Sequence, residues 1–179
     1  MRLFIAIELS NGMRKELAAF SKAVRERSCG GRFVSPENLH LTLRFLGESD
    51  DLLGAAEAMR EACRDIRPFT ISLGRYGFFD KASRDKRTAL VLAEGDISEL
   101  CVLREALEAA LEERGFPGER RKFIPHITLG RNVEQDELAE AELSQKEFAS
   151  SMTVTGITLF ESTREKGRVV YSPLHRERF

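Results

Sequence analysis

Two short segments of the chain repeat one pattern of residue types that can carry acid-base chemistry, His40-Leu41-Thr42-Leu43 and His126-Ile127-Thr128-Leu129. Imidazole titrates near pH 6.5, so one of two opposed histidines can accept a proton while the other donates one. Splitting a phosphodiester by in-line displacement needs a base on one side of phosphorus and an acid on the opposite side. The residue types in this repeated pattern therefore fit phosphodiester chemistry.

Two threonines and two arginines accompany the histidines. Side chains alternate along a strand, so Thr42 and Thr128 share the face of the histidine that precedes each of them, about 7 Å away along the chain. Their hydroxyls can donate hydrogen bonds to the phosphate oxygens on which transition-state charge is held. Arg44 lies on the face of the first histidine by parity, and Arg131 follows the second motif. Both arginines are candidates for phosphate binding. The equally open alternative is that they are surface charges that cover the strand ends.

A single His-x-Thr segment is weak evidence for catalysis, because such a pattern also occurs in ordinary half-buried strands. Here the two copies use two of the three histidines in the chain. The third, His175, lies beside Arg176 and Glu177 without a partner motif, and we expect it to be a surface residue. No cluster of histidines or carboxylates has the spacing of a metal site, so the sequence predicts chemistry without metal or cofactor.

Each motif must be positioned by a strand, and the flanking hydrophobic patterns predict a series of elements around it. The first series consists of strand 2–9, helix 13–27, a turn at 35–38, strand 40–46, a helix up to about 64 and strand 69–76. The second consists of strand 87–94, a helix from a capping box of Asp96 and Glu99 to Gly115, strand 126–131, helix 134–146, and strands 151–160 and 168–174.

The two series follow each other at nearly one offset. His40 and His126 are 86 positions apart, and Arg2 and Arg87, which open the two series, are 85 apart. A matched order of elements at one offset indicates an internal duplication. We therefore expect one bilobal α+β domain over 1–179, with repeat halves of about 1–85 and 86–179. Two antiparallel sheets would flank a central groove, with helices outside and one histidine motif from each lobe facing the groove.

Composition limits the class of protein and of partner. With 179 residues, of which 42% are hydrophobic, the chain can form one sizeable core. The formal net charge is only −1, and basic residues cluster locally at 84–87, 120–122 and 164–168. A nearly neutral protein lacks the field expected of one that binds long nucleic acid through many phosphates. A small or terminal nucleic-acid feature fits this charge pattern better.

Cysteine use and apolar runs predict the compartment. Three cysteines at wide spacings, Cys29, Cys63 and Cys101, indicate free thiols, buried or half buried, in a reducing environment. No apolar run is long enough for a signal-peptide core or a membrane span. We expect a cytoplasmic protein that does not contact a membrane. The oligomeric state leaves no signal in the sequence, and a monomer is the working expectation.

The motifs and their surroundings resemble a known family. The segments 36–48 (PENLHLTLRFLGE) and 125–131 (PHITLGR) are similar to the two motifs of the two-histidine phosphoesterase superfamily. The opening residues 2–7, and the segments 160–162 and 171–174 near the end, extend the likeness over nearly the whole chain. Within the superfamily the chain most resembles the bacterial and archaeal RNA 2',3'-cyclic phosphodiesterases, also called 2'-5' RNA ligases. Phe33 stands where such relatives often carry Trp.

The resemblance implies a bilobal α+β fold and metal-independent hydrolysis of a terminal 2',3'-cyclic phosphate to a 2'-phosphomonoester. It implies that His126 is the proton acceptor that activates water and that His40 is the proton donor to the leaving 3'-oxygen. It also implies that Thr42 and Thr128 hold the phosphate, and that the reverse reaction can join a cyclic end to a 5'-hydroxyl in a 2'-5' linkage. From the residues alone the nearly symmetric motifs leave the acid and base roles open.

The expected partner is an RNA terminus or a nucleotide with a 2',3'-cyclic phosphate. Two alternatives stay open at this point. The first is a phosphodiesterase of the same superfamily that acts on a small cyclic nucleotide, on ADP-ribose cyclic phosphate or on 2'-5' oligonucleotides. The second is a non-catalytic module that binds RNA ends.

Overall fold

A computed structural model describes residues 1–79 and 87–179, and within them the chain forms nine strands, four α-helices and one short 3-10 helix. The strands are β1 (Arg2–Glu8), β2 (Gly30–Phe33), β3 (His40–Glu48), β4 (Phe69–Phe79), β5 (Arg87–Gly95), β6 (His126–Glu134), β7 (Ser151–Val154), β8 (Gly156–Glu165) and β9 (Arg168–Arg178). The helices are α1 (Asn11–Glu26), the 3-10 helix (Pro36–Asn38), α2 (Leu52–Cys63), α3 (Ile97–Glu113) and α4 (Glu137–Leu143). Residues 84–86 of the predicted basic cluster lie outside the described residues.

The strands form one antiparallel sheet in the order β7-β4-β5-β6-β3-β1-β8-β9, and β2 pairs with β6. In the described part of the chain, the pair of Leu41 and Ile127 is what joins β3 to β6. We call β3, β1, β8 and β9 the first half-sheet, and β7, β4, β5 and β6 the second half-sheet. The antiparallel α+β fold is confirmed, and the two expected sheets are halves of one sheet that meet at this seam.

The half-sheets do not follow the order of the chain. Strand β4 comes from the first series of elements but pairs with β5 and β7 in the second half-sheet. Strand β8 comes near the end of the chain but pairs with β1 in the first half-sheet. Each half-sheet therefore contains strands from both proposed repeats, and the duplication with halves of about 1–85 and 86–179 stays a prediction.

One face of the sheet forms the hydrophobic core with the helices. Leu41, Leu43, Ile127 and Leu129, which alternate with the motif residues, are buried in this core. Helix α1 begins where the Ser10 hydroxyl accepts a hydrogen bond from the Met13 N–H at 3.2 Å. Burial of the apolar residues thus fixes the histidines and threonines on the opposite, helix-free face, which is the groove face.

The structure corrects three local predictions. The strand expected over 151–160 is two strands, because the chain passes between the half-sheets near Gly156, where an added Cβ would lie 2.4 Å from the carbonyl oxygen of Glu177. Asp96 does not form the predicted capping box, since its carboxylate accepts the Thr70 N–H at 2.8 Å. Strand β2, where the sequence predicts no strand, completes the second half-sheet beside β6.

Two further findings concern compartment and cysteines. Among the helices that the structure describes, none is both long enough and apolar enough to cross a membrane. All three cysteines are free thiols, as predicted, but Cys29 is exposed rather than buried or half buried. Burial raises the pKa of the Cys63 thiol to about 12, so this thiol is held unreactive.

Candidate active site

The seam between the half-sheets brings the two histidine motifs together. Because Leu41 pairs with Ile127 across antiparallel strands, each motif histidine lies across the seam from the threonine of the other motif. His40 and His126 are then related diagonally on the groove face, and the positive charge of protonated His126 lowers the pKa of His40. The four residues His40, Thr42, His126 and Thr128 are thus neighbours, as predicted.

Both imidazoles are held in the same way by the turn that precedes their strand. Nδ1–H of His40 donates to the carbonyl oxygen of Asn38 at 2.7 Å, and Nδ1–H of His126 donates to that of Ile124 at 2.7 Å. A carbonyl oxygen only accepts, so each bond fixes the proton of the neutral ring on Nδ1. Nε2 is therefore the atom of both rings that can take or give a proton in the groove.

The environments of the two Nε2 atoms differ. Nε2 of His40 accepts a hydrogen bond from the Thr42 hydroxyl at 2.9 Å. Within residues 1–79 and 87–179, neither Nε2 of His126 nor the Thr128 hydroxyl has a hydrogen-bond partner. Two symmetric motifs therefore present two unequal histidines.

Burial is the main influence on the protonation of both histidines. It lowers the pKa of His40 and the pKa of His126 below the ordinary value of 6.5, because an imidazolium loses hydration there. The hydrogen bonds to Asn38 and Ile124 act in the opposite direction, and the positive charge of Arg131 lowers both pKa values further. An anionic ligand beside these groups would offset that positive charge and raise the pKa of each histidine.

Aromatic side chains that no sequence pattern marks as site residues form the walls around each imidazole. Phe4 and Tyr171 lie with their ring centroids 4.9 Å and 5.2 Å from that of His40. Phe79 lies edge-on to His126, with centroids 4.6 Å apart. These rings come from β1, β9 and β4, so only the strand order of the folded sheet reveals them. They exclude water from one flank of each imidazole, which explains the lowered pKa values.

A β-bulge follows the threonine in both motifs. In the first motif Ala6 pairs with Thr42 but Ile5 pairs with Arg44, so Leu43 is an extra residue. In the second motif Leu90 pairs with Thr128 but Ala89 pairs with Gly130, so Leu129 is extra. Each bulge reverses the alternation of the side chains that follow it.

The first bulge explains why the prediction that Arg44 lies on the face of His40 and binds phosphate is wrong. Arg44 pairs with a core residue of β1, is 7% exposed and lies on the helix side of the sheet. Its guanidinium binds the Glu108 carboxylate of α3, with Nε 2.8 Å from Oε2, and the carbonyls of Phe45 and Pro117. It therefore does not face the groove, and simple parity from His40 fails at Leu43.

The second bulge has the opposite consequence for Arg131. Strict alternation from His126 would place Arg131 on the helix side, yet it is exposed on the groove face, one residue beyond Gly130. Its charge lowers the pKa of His40, of His126 and of Tyr171, which come from both half-sheets. Arg131 thus lies within electrostatic reach of the whole candidate site.

His175 has the surface location expected for it, half-buried on β9, with Nε2 3.1 Å from a carboxylate oxygen of Glu177. No group of three or more His, Cys, Asp or Glu side chains in the described ranges is arranged to hold a metal ion. What these residues can do by themselves is exchange protons at two Nε2 atoms and hold an anion with hydroxyl and guanidinium groups.

A family model and several known proteins match most of this chain. A family model described as "2'-5' RNA ligase superfamily" matches residues 13–166. The chain is 30% identical to the RNA 2',3'-cyclic phosphodiesterase of Thermotoga maritima, over 100% of this chain and 96% of that protein. It is 31% identical to the protein of the same name from Escherichia coli K12, over 98% of this chain and 94% of that protein.

Solved structures extend the likeness to the fold. Crystal structures of Escherichia coli LigT in apo form and of TT0787 of Thermus thermophilus superpose with TM-scores of 0.77 and 0.79, at 30% and 29% identity. They cover 99% and 98% of this chain, and this chain covers 96% of each of them. One structure of the E. coli protein is a complex with 3'-AMP. The chain belongs to the 2'-5' RNA ligase superfamily.

Proposed function

We propose that the protein is an RNA 2',3'-cyclic phosphodiesterase that opens a terminal 2',3'-cyclic phosphate to a 2'-phosphomonoester. The observation that carries the proposal is the pair of histidines across one seam, each with Nδ1–H bound to a backbone carbonyl and Nε2 left for proton transfer. An in-line displacement at phosphorus needs two such groups on opposite sides of the phosphorus atom. The names of the full-length relatives agree with this substrate class.

His126 takes the role of general base in this proposal. Its Nε2 has no hydrogen-bond partner in the described part of the chain, which leaves that atom available to a water molecule. The lowered pKa of His126 keeps the ring neutral and able to accept a proton at pH 7. Water gives a proton to Nε2 while its oxygen attacks phosphorus.

His40 takes the role of general acid. As the bond between phosphorus and O3' breaks, O3' takes a proton from Nε2–H of His40, and the phosphate stays on O2'. Burial lowers the pKa of His40 in the free protein, so protonated His40 needs the bound phosphate anion beside it. The Thr42 hydroxyl, 2.9 Å from Nε2, orients that ring.

The charge on the non-bridging oxygens is held by Thr42, Thr128 and Arg131 in this scheme. The Thr128 hydroxyl, which has no partner among the described residues, can donate to a phosphate oxygen, and the charge of Arg131 acts on both histidines. Donors aimed in advance at developing charge stabilise the transition state more than the ground state. Because each step is reversible, the same groups can join a cyclic end to a 5'-hydroxyl and form a 2'-5' linkage.

A product assay tests the proposal. An oligonucleotide with a 2',3'-cyclic end is incubated with the protein in EDTA, and the product end is identified. We expect a 2'-phosphate, formed equally well with His175→Ala, a matched histidine variant outside the site. A 3'-phosphate, the absence of product, or loss of activity in EDTA would contradict the proposal.

We also propose that the protein acts as a monomer in the cytoplasm, where its three free thiols stay reduced. A sedimentation measurement at micromolar concentration that gave a dimer would overturn the first part of this statement.

A further inference from the structure

Strand β2 adds a second arginine to the groove face. β2 pairs with β6 where β6 has diverged from β3, and Arg32 is the direct cross-strand partner of Arg131. Residues that oppose each other on antiparallel strands point to the same face. The neighbour of Arg32, Phe33, packs on the core side under the guanidinium of Arg25, which lies 5.1 Å from its ring centroid. Alternation along β2 therefore agrees that Arg32 faces the groove.

Within residues 1–79 and 87–179, no carboxylate neutralises the pair of Arg32 and Arg131. Neither guanidinium forms an ion pair or a side-chain hydrogen bond with any residue in the described ranges. The carboxylate of Glu134 lies over Gly30 and reaches neither arginine. Like charges placed directly opposite each other destabilise a sheet, so this pairing costs folding free energy unless an anion lies between the two side chains.

Several other arginines of this protein have acidic partners. Arg44 and Arg104 share Glu108, Arg87 binds Glu140, and Arg176 binds Glu8 on the first half-sheet. Arg32 and Arg131 differ from these arginines in that they oppose each other directly across two strands, with no carboxylate of the described residues bound to either, so a ligand anion would stabilise the pair.

The two arginines differ in their distance from the histidines. Arg131 lies on β6 and lowers the pKa of His40 and of His126, whereas Arg32 lies on β2, which pairs with β6 beyond the point where β3 leaves it. Arg32 therefore lies further out along the groove, on the side where β2 covers the opening between β6 and β3. In a strand of RNA, the phosphate next to the terminal one lies one nucleotide outward from the reacting phosphorus.

We infer that Arg32 binds the phosphodiester that precedes the terminal nucleotide, so that Arg131 and Arg32 hold two successive phosphates of an RNA strand. This inference rests on the proposed function. It makes the protein selective for cyclic-ended oligonucleotides over cyclic mononucleotides, since a mononucleotide has no second phosphate.

The test compares three substrates with 2',3'-cyclic ends: a mononucleotide, a dinucleotide, and the same dinucleotide with an uncharged methylphosphonate linkage. We expect Arg32→Ala to lower kcat/KM for the charged dinucleotide about tenfold, the size expected for a lost charge-assisted hydrogen bond. For the other two substrates we expect a change of no more than about twofold, as for an ordinary surface substitution. The matched control is Arg25→Ala, which packs over Phe33 on the opposite face of β2 and should leave all three values unchanged.

The salt dependence gives a second measure. Salt screens the attraction between a guanidinium and a phosphate, so Arg32→Ala should make kcat/KM for the charged dinucleotide less dependent on salt concentration than it is in the wild-type protein. Equal loss on all three substrates, or no loss on any, would overturn the inference while the proposed function stands. Failure of the wild-type protein to turn over any of them would refute the proposed function and the inference with it.

Discussion

At the scale of single residues, the two histidines are held alike but are chemically unequal. Both donate Nδ1–H to a carbonyl at 2.7 Å, so the backbone fixes the tautomer in each case. Only His40 has its Nε2 engaged by a threonine in the described residues. This asymmetry supports His126 as the base that accepts a proton from water and His40 as the acid.

The role of His40 can be tested by changing the leaving atom. A cyclic substrate with sulfur in place of O3' releases a thiolate, whose conjugate acid has a pKa near 8.5, and such a group leaves without help from an acid. We expect His40→Ala to lose about 10²- to 10⁴-fold with the oxygen substrate and to recover most of that loss with the sulfur substrate. His126→Ala should stay inactive with both substrates. Rescue of His126→Ala instead would reverse the two roles.

Arg131 provides a test of the electrostatics. Burial, with help from Arg131, lowers the pKa of both histidines below 6.5 in the free protein. As the pH rises, the histidine that acts as the acid therefore loses its proton before pH 6.5 is reached. We expect the alkaline limb of kcat/KM to lie below pH 6.5, and Arg131→Gln to move it to higher pH, because removal of a positive charge favours imidazolium. Because the two histidines interact, the apparent pKa read from this limb describes the pair rather than one ring. A limb that stays fixed, or moves to lower pH, would contradict the placement of Arg131.

At the scale of elements, the bulges decide which side chains reach the groove. The alternation of His, apolar, Thr and apolar residues correctly predicts the motif faces, because burial of Leu41 and Ile127 enforces it. The alternation fails one residue later, where Leu43 or Leu129 is inserted, and no hydrophobic pattern reports such an insertion in advance. Simple parity would place Arg44 on the groove face and Arg131 on the helix side. The bulges place them the other way round.

Strand β2 was missed for a related reason. Gly30 and Gly31 give the segment no apolar alternation, and Gly31 has a φ of +136° that breaks its regular pairing. Only the opening between β6 and β3 in the folded sheet makes room for the strand. Arg32, the arginine that we propose as an extension of the site, thus lies on an element that tertiary pairing creates.

The buried position of Arg44 leads to a prediction about stability. Glu108 binds Arg44 and Arg104, each about 7% exposed, and also accepts the N–H of Glu119 at 2.6 Å. Glu108→Ala leaves both guanidiniums buried without their carboxylate, so we expect the free energy of unfolding in urea to fall by about 3 kcal/mol. The control is Glu105→Ala, at an exposed position of α3, which should change the free energy of unfolding by less than about 0.5 kcal/mol. Equal small effects of the two variants would show that this cluster is not needed for folding.

At the scale of the whole molecule, the sequence predicts the class of fold and the meeting of the two motifs, but not how the strands are shared. The repeated bulges after Thr42 and Thr128 support the proposed duplication. Yet β4 joins the half-sheet of β5, and β8 joins that of β1, so neither half-sheet is built from one repeat alone. Pairing between strands distant in sequence depends on the folded sheet and leaves no periodic signal.

This sharing of strands ties the site to the integrity of the whole fold. His40 is flanked by Phe4 from β1 and Tyr171 from β9, and His126 is flanked by Phe79 from β4. Each histidine thus depends on strands from the beginning, middle or end of the chain. The acid and the base keep their relative positions because one continuous sheet carries both.

The central claim is that His40 and His126 together cleave a cyclic phosphodiester, and the rates of the single variants test it most directly. Hydrolysis of a cyclic-ended oligonucleotide is measured in EDTA for the wild-type protein, His40→Ala, His126→Ala and His175→Ala. We expect each of the first two substitutions to lower the rate by about 10²- to 10⁴-fold and the third to leave it unchanged. Full activity in either His40→Ala or His126→Ala would contradict the account.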